Sequence, residues 1–233
     1  MTVEIEVVEN PARACGAMLV GAALGAGHVV LTGGSTPKAA YAELVTAVRN
    51  VGLDLSETTF WLGDERCVDP DDERANSKMI QESLLDPLAD VTVPTFKRIK
   101  GELGPDEGAD DYERELNEAG PPVFDLLLLG VGPDGHTASL FPDQPAVTDR
   151  SRLVVGVEMA GMEPFVPRVT FTFTALAKAR RVVVLVSGES KAEAVAAAFG
   201  PNARPDPHVP SSFLAKEVPE LLVLLDPAAA ARL

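Results

Sequence analysis

The chain has 233 residues, of which 46% are hydrophobic and 24% are charged, a composition typical of a folded globular protein and not of a disordered or collagen-like one. Its 20 Lys and Arg residues stand against 35 Asp and Glu residues, which gives a formal net charge of −15. Such a surface repels polyanions and anionic membranes, so we expect neither nucleic acid nor a membrane as a partner.

Strand-like and helix-like segments alternate along the chain. After the first strand, Asn10 and Pro11 provide an N-cap and a first-turn proline for a helix that runs to about Ala26. A glycine-rich turn opens a second helix, which runs to about Val48, and Phe124–Leu129 is a continuous apolar run typical of a strand buried on both faces. The remaining predicted strands are Thr2–Val8, His28–Thr32, Thr58–Leu62, Leu153–Val157, Val169–Phe173, Arg181–Val186 and Leu221–Leu225, and the remaining predicted helices are Asn76–Leu85, Asp106–Ala119 and Glu189–Phe199.

This alternation predicts an α/β fold with a mainly parallel sheet and helices on both of its faces. A chain of this length suits one such domain, so we expect a single domain over residues 1–233. Ligands of these folds bind at the carboxyl ends of the strands. The loops that follow the strands are therefore the candidate functional segments.

The N-terminal residues and the cysteines place further limits on the protein. Met1–Glu9 contains three glutamates and no Lys or Arg, and no apolar run reaches the ~18 residues of a membrane span, so we expect a cytoplasmic protein. Cys15 and Cys67 lie outside any CxxC motif and away from His, which predicts neither a disulfide framework nor a metal site. Arg66 could lower the pKa of the Cys67 thiol, but with no adjacent histidine we expect Cys67 to be a small apolar side chain.

The first candidate loop is Gly33-Gly34-Ser35-Thr36-Pro37, which joins a strand to a helix. Glycines allow backbone N–H groups to approach an anion closely, and the helix N-terminus adds its dipole. The segment is therefore either a phosphate cradle or a plain turn in which Ser35 or Thr36 caps the helix. The spacing of a Walker P-loop is absent.

Two other loops concentrate charge. Asp64, Glu65 and Arg66 directly follow a strand, so the segment is either functional or the solvated loop that a charge run usually forms. Arg168 follows a proline, and Lys191 lies in the first turn of a predicted helix, where a cation opposes the helix dipole. An anion bound beside Lys191 would explain that placement.

The loop after Phe124–Leu129 contains a G-x-G-x-x-G pattern, and Glu158 ends the next strand about 22 residues further on, as a dinucleotide site requires. Against that interpretation, Pro133 lies within the turn, and Asp134 and His136 flank the last glycine. A histidine two residues after an aspartate on a glycine loop is a good arrangement for a general base.

Together these segments resemble, in order and spacing across nearly the whole chain, the 6-phosphogluconolactonase family, which belongs to a superfamily with the glucosamine-6-phosphate isomerases and deaminases. The segments are LTGGSTP, FWLGDERCV with Asn76 after it, DLLLLGVGPDGHTASLFP, PRVTFTF and VVVLVSGESKAEAV. The resemblance implies a Rossmann-like, doubly wound α/β domain. It also implies a carboxylic ester hydrolase that converts 6-phospho-D-glucono-1,5-lactone to 6-phosphogluconate in the oxidative pentose phosphate pathway. The expected partner is this sugar-phosphate lactone, without a cofactor or required metal, and the protein is expected to be a monomer or a weak homo-oligomer.

The same resemblance suggests a phosphate site on this chain. In similar enzymes the GGST turn, here Gly34, Ser35 and Thr36, holds the phosphate. The cations of PRVT and SGESK, here Arg168 and Lys191, neutralise it.

The resemblance also suggests the catalytic groups. His136 is similar to the base that takes a proton from the water attacking the lactone carbonyl, and Asp134 would orient the imidazole or the water. Arg66 would contact the substrate or stabilise the developing oxyanion. Asp64 and Asp134 are the alternatives for the base.

Two other functions remain open at this stage. Deaminases of the superfamily have a glutamate at the position of Phe141, in a segment resembling GHIAFNEP, and a tyrosine at the position of Arg66. Here the segments read GHTASLFP and GDER, which favours the lactonase. The other alternative is a sugar-phosphate sensor without activity, which the retained His136, Asp134 and Arg66 argue against.

Overall fold

A computed structural model describes residues 2–24, 26–120 and 123–233. In these ranges ten strands form two sheets. The strands are β1 Thr2–Val7, β2 His28–Leu31, β3 Thr59–Leu62, β4 Asp64–Arg66, β5 Thr95–Lys97, β6 Leu126–Leu129, β7 Val154–Val157, β8 Arg168–Phe171, β9 Val182–Val186 and β10 Glu220–Leu225.

The larger sheet has seven strands in the order β1-β10-β9-β6-β2-β3-β5, and all neighbouring pairs are parallel. Every residue of β6 and β9 is buried, as expected for continuous apolar runs at the centre of a parallel sheet. The predicted α/β fold with a mainly parallel sheet is therefore confirmed.

Helices α1 (Pro11–Ala23) and α2 (Ser35–Val51) pack against each other, and both contact β9. The Asn10 side chain accepts a hydrogen bond from the Arg13 amide at 3.0 Å, as predicted for an N-cap. Helix α1 ends at Ala23, short of the predicted Ala26, and Gly25 between them lies outside the described residues. The helices are α1 Pro11–Ala23, α2 Ser35–Val51, α3 Asn76–Ile80, α4 Pro105–Glu118, α5 Phe173–Leu176, α6 Ala192–Phe199 and α7 Leu214–Glu217.

A smaller antiparallel sheet, in the order β4-β8-β7, departs from the prediction. Residues 158–167 between β7 and β8 contain no helix, and a parallel crossover needs about a dozen residues or more, usually helical, so the two strands pair antiparallel. Gly63 joins the sheets: its N–H donates to the Leu31 carbonyl of the larger one, and its carbonyl accepts from the Phe171 amide of the smaller one. Asp64–Arg66 is therefore a strand and not a charged loop.

Further elements differ from the prediction, and the short helices α5 and α7 were not predicted. Strand β5 at the edge of the larger sheet was not predicted, since its three residues are exposed or half-buried and too few to show a pattern. The helix predicted over Asn76–Leu85 is α3 followed by one π-helical turn, Gln81–Leu85.

Candidate active site

A pocket of about 260 Å³ opens at the carboxyl ends of β2, β6 and β9. The chain order along the sheet reverses between β6 and β2, and such a switch point is where open α/β sheets bind ligands. Eight of the nine predicted site residues line this pocket: Gly34, Ser35, Thr36, Asp64, Arg66, His136, Arg168 and Lys191. The ninth, Asp134, contacts the His136 ring.

The turn after β2 presents the N-terminus of α2 to the pocket. Gly34 is the N-cap, with φ +112°, a left-handed conformation that favours glycine, and no side chain caps the helix. The alternative in which Ser35 or Thr36 is the cap is therefore wrong. The amides of Ser35 and Thr36 are at the helix start, where N–H groups have no intrahelical partner. Tyr41 of α2 holds the backbone that leads from β2 into this turn. Its hydroxyl donates to the Thr32 carbonyl at 2.7 Å and accepts from the Thr32 amide at 3.0 Å.

Arg168 and Lys191 place positive charge in the same pocket. The Arg168 side chain is only 3% exposed and donates to the backbone carbonyls of Pro164 at 2.7 Å and Val166 at 3.2 Å. Burial and the charge of nearby Arg66 lower the pKa of Arg168 to about 10. Burial also lowers the pKa of Lys191, partly offset by the charge of Asp134. Two cations that are costly to bury would be stabilised by an anion.

His136 and Asp134 form a hydrogen-bonded pair. The distance between His136 Nδ1 and Asp134 Oδ1 is 2.6 Å, and the His136 amide donates to the same oxygen at 3.2 Å. Burial raises the pKa of Asp134, but the hydrogen bonds and charge of His136 outweigh this, and the net effect lowers it. An ionised Asp134 accepts from Nδ1–H, which assigns the imidazole proton to Nδ1 and leaves Nε2 as the proton acceptor.

Gly132 makes room for this pair. A Cβ at this position would lie 2.1 Å from His136 Nδ1 and 2.4 Å from Asp134 Oδ1. The glycine pattern therefore accommodates the loop's own side chains. Residues 131–144, all of them described, contain no helix, whereas a dinucleotide fingerprint leads directly into one. The dinucleotide interpretation is wrong.

Strand β4 places Asp64 and Arg66 at the pocket wall. Asp64 is buried, and its Oδ2 accepts a hydrogen bond from Ser139 Oγ at 2.7 Å. Arg66 donates from Nη1 to the Arg74 carbonyl at 2.6 Å, while its buried Nε has no hydrogen-bond partner within the described residues. Arg66 therefore places positive charge at the pocket wall.

The sequence prediction missed Glu65, whose carboxylate holds the β4 segment to the start of α3. Glu65 is 1% exposed and accepts from the amides of Arg66, Asn76 and Ser77, each at 2.7 Å. Burial nevertheless raises its pKa, since desolvation outweighs these bonds. A charge run usually indicates solvent exposure, so no local pattern indicates that this carboxylate is buried.

Asn76, quoted above as part of a motif, was not predicted as a site residue, yet it lines the pocket. Its Nδ2 donates to the Asp64 carbonyl at 2.9 Å. Its Oδ1 would be 1.9 Å from a Cβ at Gly33, so that glycine permits the close packing of the two loops.

Cys67 does not have the properties of a nucleophile. Burial and the charge of Glu65 raise the pKa of its thiol to about 12, which opposes formation of the thiolate. The expectation that Arg66 could lower this pKa is wrong. In the described ranges we find neither a group of three His, Cys, Asp or Glu side chains placed to hold a metal ion nor a helix long and apolar enough to cross a bilayer.

Comparisons with known proteins extend over most of the chain. The family model of glucosamine-6-phosphate isomerases and 6-phosphogluconolactonases matches residues 6–223. A 6-phosphogluconolactonase of Synechocystis sp. is 38% identical over 208 residues, which cover 87% of this chain and 82% of that protein. The structure of the 6-phosphogluconolactonase of Trypanosoma brucei has a TM-score of 0.82 at 28% identity, covering 100% of this chain and 99% of that one. A monomeric glucosamine-6-phosphate deaminase has a TM-score of 0.85 at 20% identity, with both chains fully covered, and indicates the shared fold alone.

Proposed function

The chain belongs to the family of glucosamine-6-phosphate isomerases and 6-phosphogluconolactonases, and we propose that it hydrolyses 6-phospho-D-glucono-1,5-lactone to 6-phosphogluconate in the oxidative pentose phosphate pathway. The observation that carries the proposal is the pairing of the Asp134–His136 dyad with a helix N-terminus and three cationic side chains in one pocket. The volume of about 260 Å³ is slightly below the roughly 300–1,000 Å³ of pockets for drug-sized ligands. That size suits a single sugar phosphate.

The phosphate group would bind at the start of α2. The amides and hydroxyls of Ser35 and Thr36 supply uncharged donors, and the helix dipole favours the anion. Arg168 and Lys191 supply the opposite charges, which the net charge of −15 makes necessary. The start of α2 together with Arg168 and Lys191 would thus bind an anionic substrate despite the negative net charge of the protein.

Hydrolysis would proceed by attack of water on the lactone carbonyl carbon. His136 Nε2 takes a proton from the water as its oxygen bonds to that carbon, and the carbonyl π electrons move to oxygen to form a tetrahedral oxyanion. When the oxyanion collapses, the bond between the carbonyl carbon and the ring oxygen breaks, and the ring oxygen takes the proton back from the imidazolium. The free acid then ionises to the carboxylate product.

The oxyanion needs a donor that does not have to reorganise. Arg66, which lines the pocket and is anchored through Nη1 to the Arg74 carbonyl, is suited to this role. Asp134 stabilises the imidazolium through its 2.6 Å contact with Nδ1. A δ-lactone is an activated ester, so a positioned base and a fixed cation suffice without a covalent nucleophile.

The structure also bears on the two alternatives for the base. Asp134 is occupied by the imidazole that it orients, and Asp64 by the Ser139 hydroxyl. A carboxylate is ordinarily a weaker base than an imidazole near neutral pH. We therefore assign the proton transfer to His136 and give Asp64 a substrate-orienting role.

Deamination of an amino sugar phosphate is the nearest competing function. The deaminases that this chain resembles have a glutamate at the position of Phe141. In this chain the position holds a buried aromatic ring that contacts His136. This observation favours the lactonase. A sensor without activity would have no use for the Asp134–His136 hydrogen bond.

The decisive experiment measures the disappearance of the lactone in the presence of the purified protein, above the rate of spontaneous hydrolysis. We expect saturable acceleration and no release of ammonia from glucosamine 6-phosphate. Ammonia release would establish the deaminase, and tight binding of 6-phosphogluconate without acceleration would establish the sensor. A cytoplasmic, single-domain protein that is a monomer or weak homo-oligomer remains part of the proposal.

A further inference from the structure

We propose that Phe141 is a positioning residue that holds both the imidazole of His136 and the guanidinium of Arg168 in their working places. Phe141 ends the same glycine loop that carries His136, and it lines the pocket. The proposal rests on the function proposed above, because its consequence is that one ring couples the proton-transfer group to the phosphate-binding group.

The ring of Phe141 contacts both groups. Its centroid lies 4.9 Å from that of the His136 imidazole, with the two planes inclined at 46°. The Arg168 guanidinium carbon lies 5.9 Å from the same centroid, within the ~6 Å range of a cation–π interaction. Phe141 is therefore shared by the two groups.

The two contacts of Phe141 restrain His136 and Arg168 in ways that the hydrogen bonds of these side chains do not. The Asp134 carboxylate holds the imidazole at a single atom, Nδ1, and rotation of the ring about that contact is limited by the neighbouring aromatic face. Arg168 is held by two backbone carbonyls and repelled by Arg66. The negative face of an aromatic ring is a neighbour that attracts a guanidinium without neutralising it, so the charge remains available to an anion.

The surroundings of Phe141 fix the ring itself. It is 2% exposed, and a Cβ added at Gly161 would lie 3.1 Å from its Cβ and Cδ1. Residue 161 is therefore packed closely on the ring, in the segment that leads to Arg168. Because the Phe141 ring is confined in this way, it restricts the positions that His136 and Arg168 can adopt.

The test compares Phe141→Leu with Phe124→Leu. Leucine keeps an apolar side chain at residue 141 but removes the aromatic face. Phe124 is a buried ring at the start of β6, outside the pocket, so its variant reports the general cost of replacing a buried phenylalanine. We expect Phe141→Leu to lower kcat by roughly 10- to 100-fold through a misplaced base and to raise KM by roughly 2- to 30-fold through Arg168. Phe124→Leu should lower the Tm and leave kcat and KM unchanged.

A double-mutant cycle separates positioning from simple destabilisation. If Phe141 acts through His136, Phe141→Leu should cause no further loss of kcat in a His136→Asn background. The imidazole proton and nitrogen resonances of His136 should also shift in Phe141→Leu and remain unchanged in Phe124→Leu.

Unchanged kcat and KM in folded Phe141→Leu would overturn the positioning role, and so would an equal further loss in the His136→Asn background. A wild-type chain with no lactonase activity would overturn the proposed function instead. The His136 resonances would then decide the positioning role: a shift supports it, and unchanged resonances refute it.

Discussion

Replacement of Gly132 by Ala should lower kcat about 100-fold with little effect on the stability of the protein. The added Cβ would lie 2.1 Å from His136 Nδ1 and 2.2 Å from its Cε1, whereas ordinary contacts between such atoms are about 3.5 Å. The imidazole must therefore move by more than about 1 Å, and a displacement of that size costs on the order of 10²-fold in rate. Gly132 does not have a positive φ, so alanine adds no backbone strain.

The assay measures kcat and KM for the lactone together with the Tm. Gly21→Ala is the matched control, because a Cβ on this residue of α1 meets nothing within 4 Å. We expect kcat to fall about 100-fold in Gly132→Ala while KM changes little, since the phosphate cradle lies on other loops. A Gly132→Ala protein with wild-type kcat would show that the position of the His136 imidazole does not depend on the absence of a side chain at residue 132.

Three other predictions concern ligand binding. Lys191→Ala and Arg168→Ala should each raise KM by about 10- to 150-fold, equivalent to the roughly 1.5–3 kcal/mol of a charge-assisted hydrogen bond, and an unchanged KM in both variants would argue against the phosphate site. Titration calorimetry with NAD or NADP should show no binding, since residues 131–144 form no helix for a pyrophosphate, and saturable sub-millimolar binding would contradict this. Because burial lowers the pKa of Lys191 from its usual 10.5, affinity for 6-phosphogluconate should decrease as the pH is raised and the ammonium loses its proton. A Lys191→Ala protein should lack this component and keep only the decrease near pH 10 that comes from Arg168.

The sequence predicted the parallel sheet because strand-like and helix-like segments alternate, and the central strands Leu126–Leu129 and Val182–Val186 are continuous apolar runs of the kind buried on both faces. It did not predict the smaller sheet. Asp64–Arg66 is a strand because its backbone pairs with that of β8, where Arg66 lies opposite Arg168. Neither charged segment alone has a sequence pattern that predicts this pairing.

For the candidate site, the sequence identified the loops but not the interactions within them. Most of the predicted residues converge because they follow β2, β3, β6 or β9 of the larger sheet, whereas Arg168 reaches the site from β8 of the smaller sheet. Glu65 was missed because its three amide partners come from residues 66, 76 and 77. The hydrogen bond from Ser139 to Asp64 spans 75 residues, a separation that no local pattern encodes.

The central claim is that the neutral imidazole of His136 is the general base, and His136→Asn tests it most directly. Asparagine keeps hydrogen-bonding capacity but cannot accept a proton near neutral pH, so kcat should fall by roughly 10²–10⁴-fold. Affinity for 6-phosphogluconate should survive, because the phosphate cradle is intact. After correction for spontaneous hydrolysis, a His136→Asn protein that retains most of its kcat would contradict the account and return the base to Asp64 or Asp134.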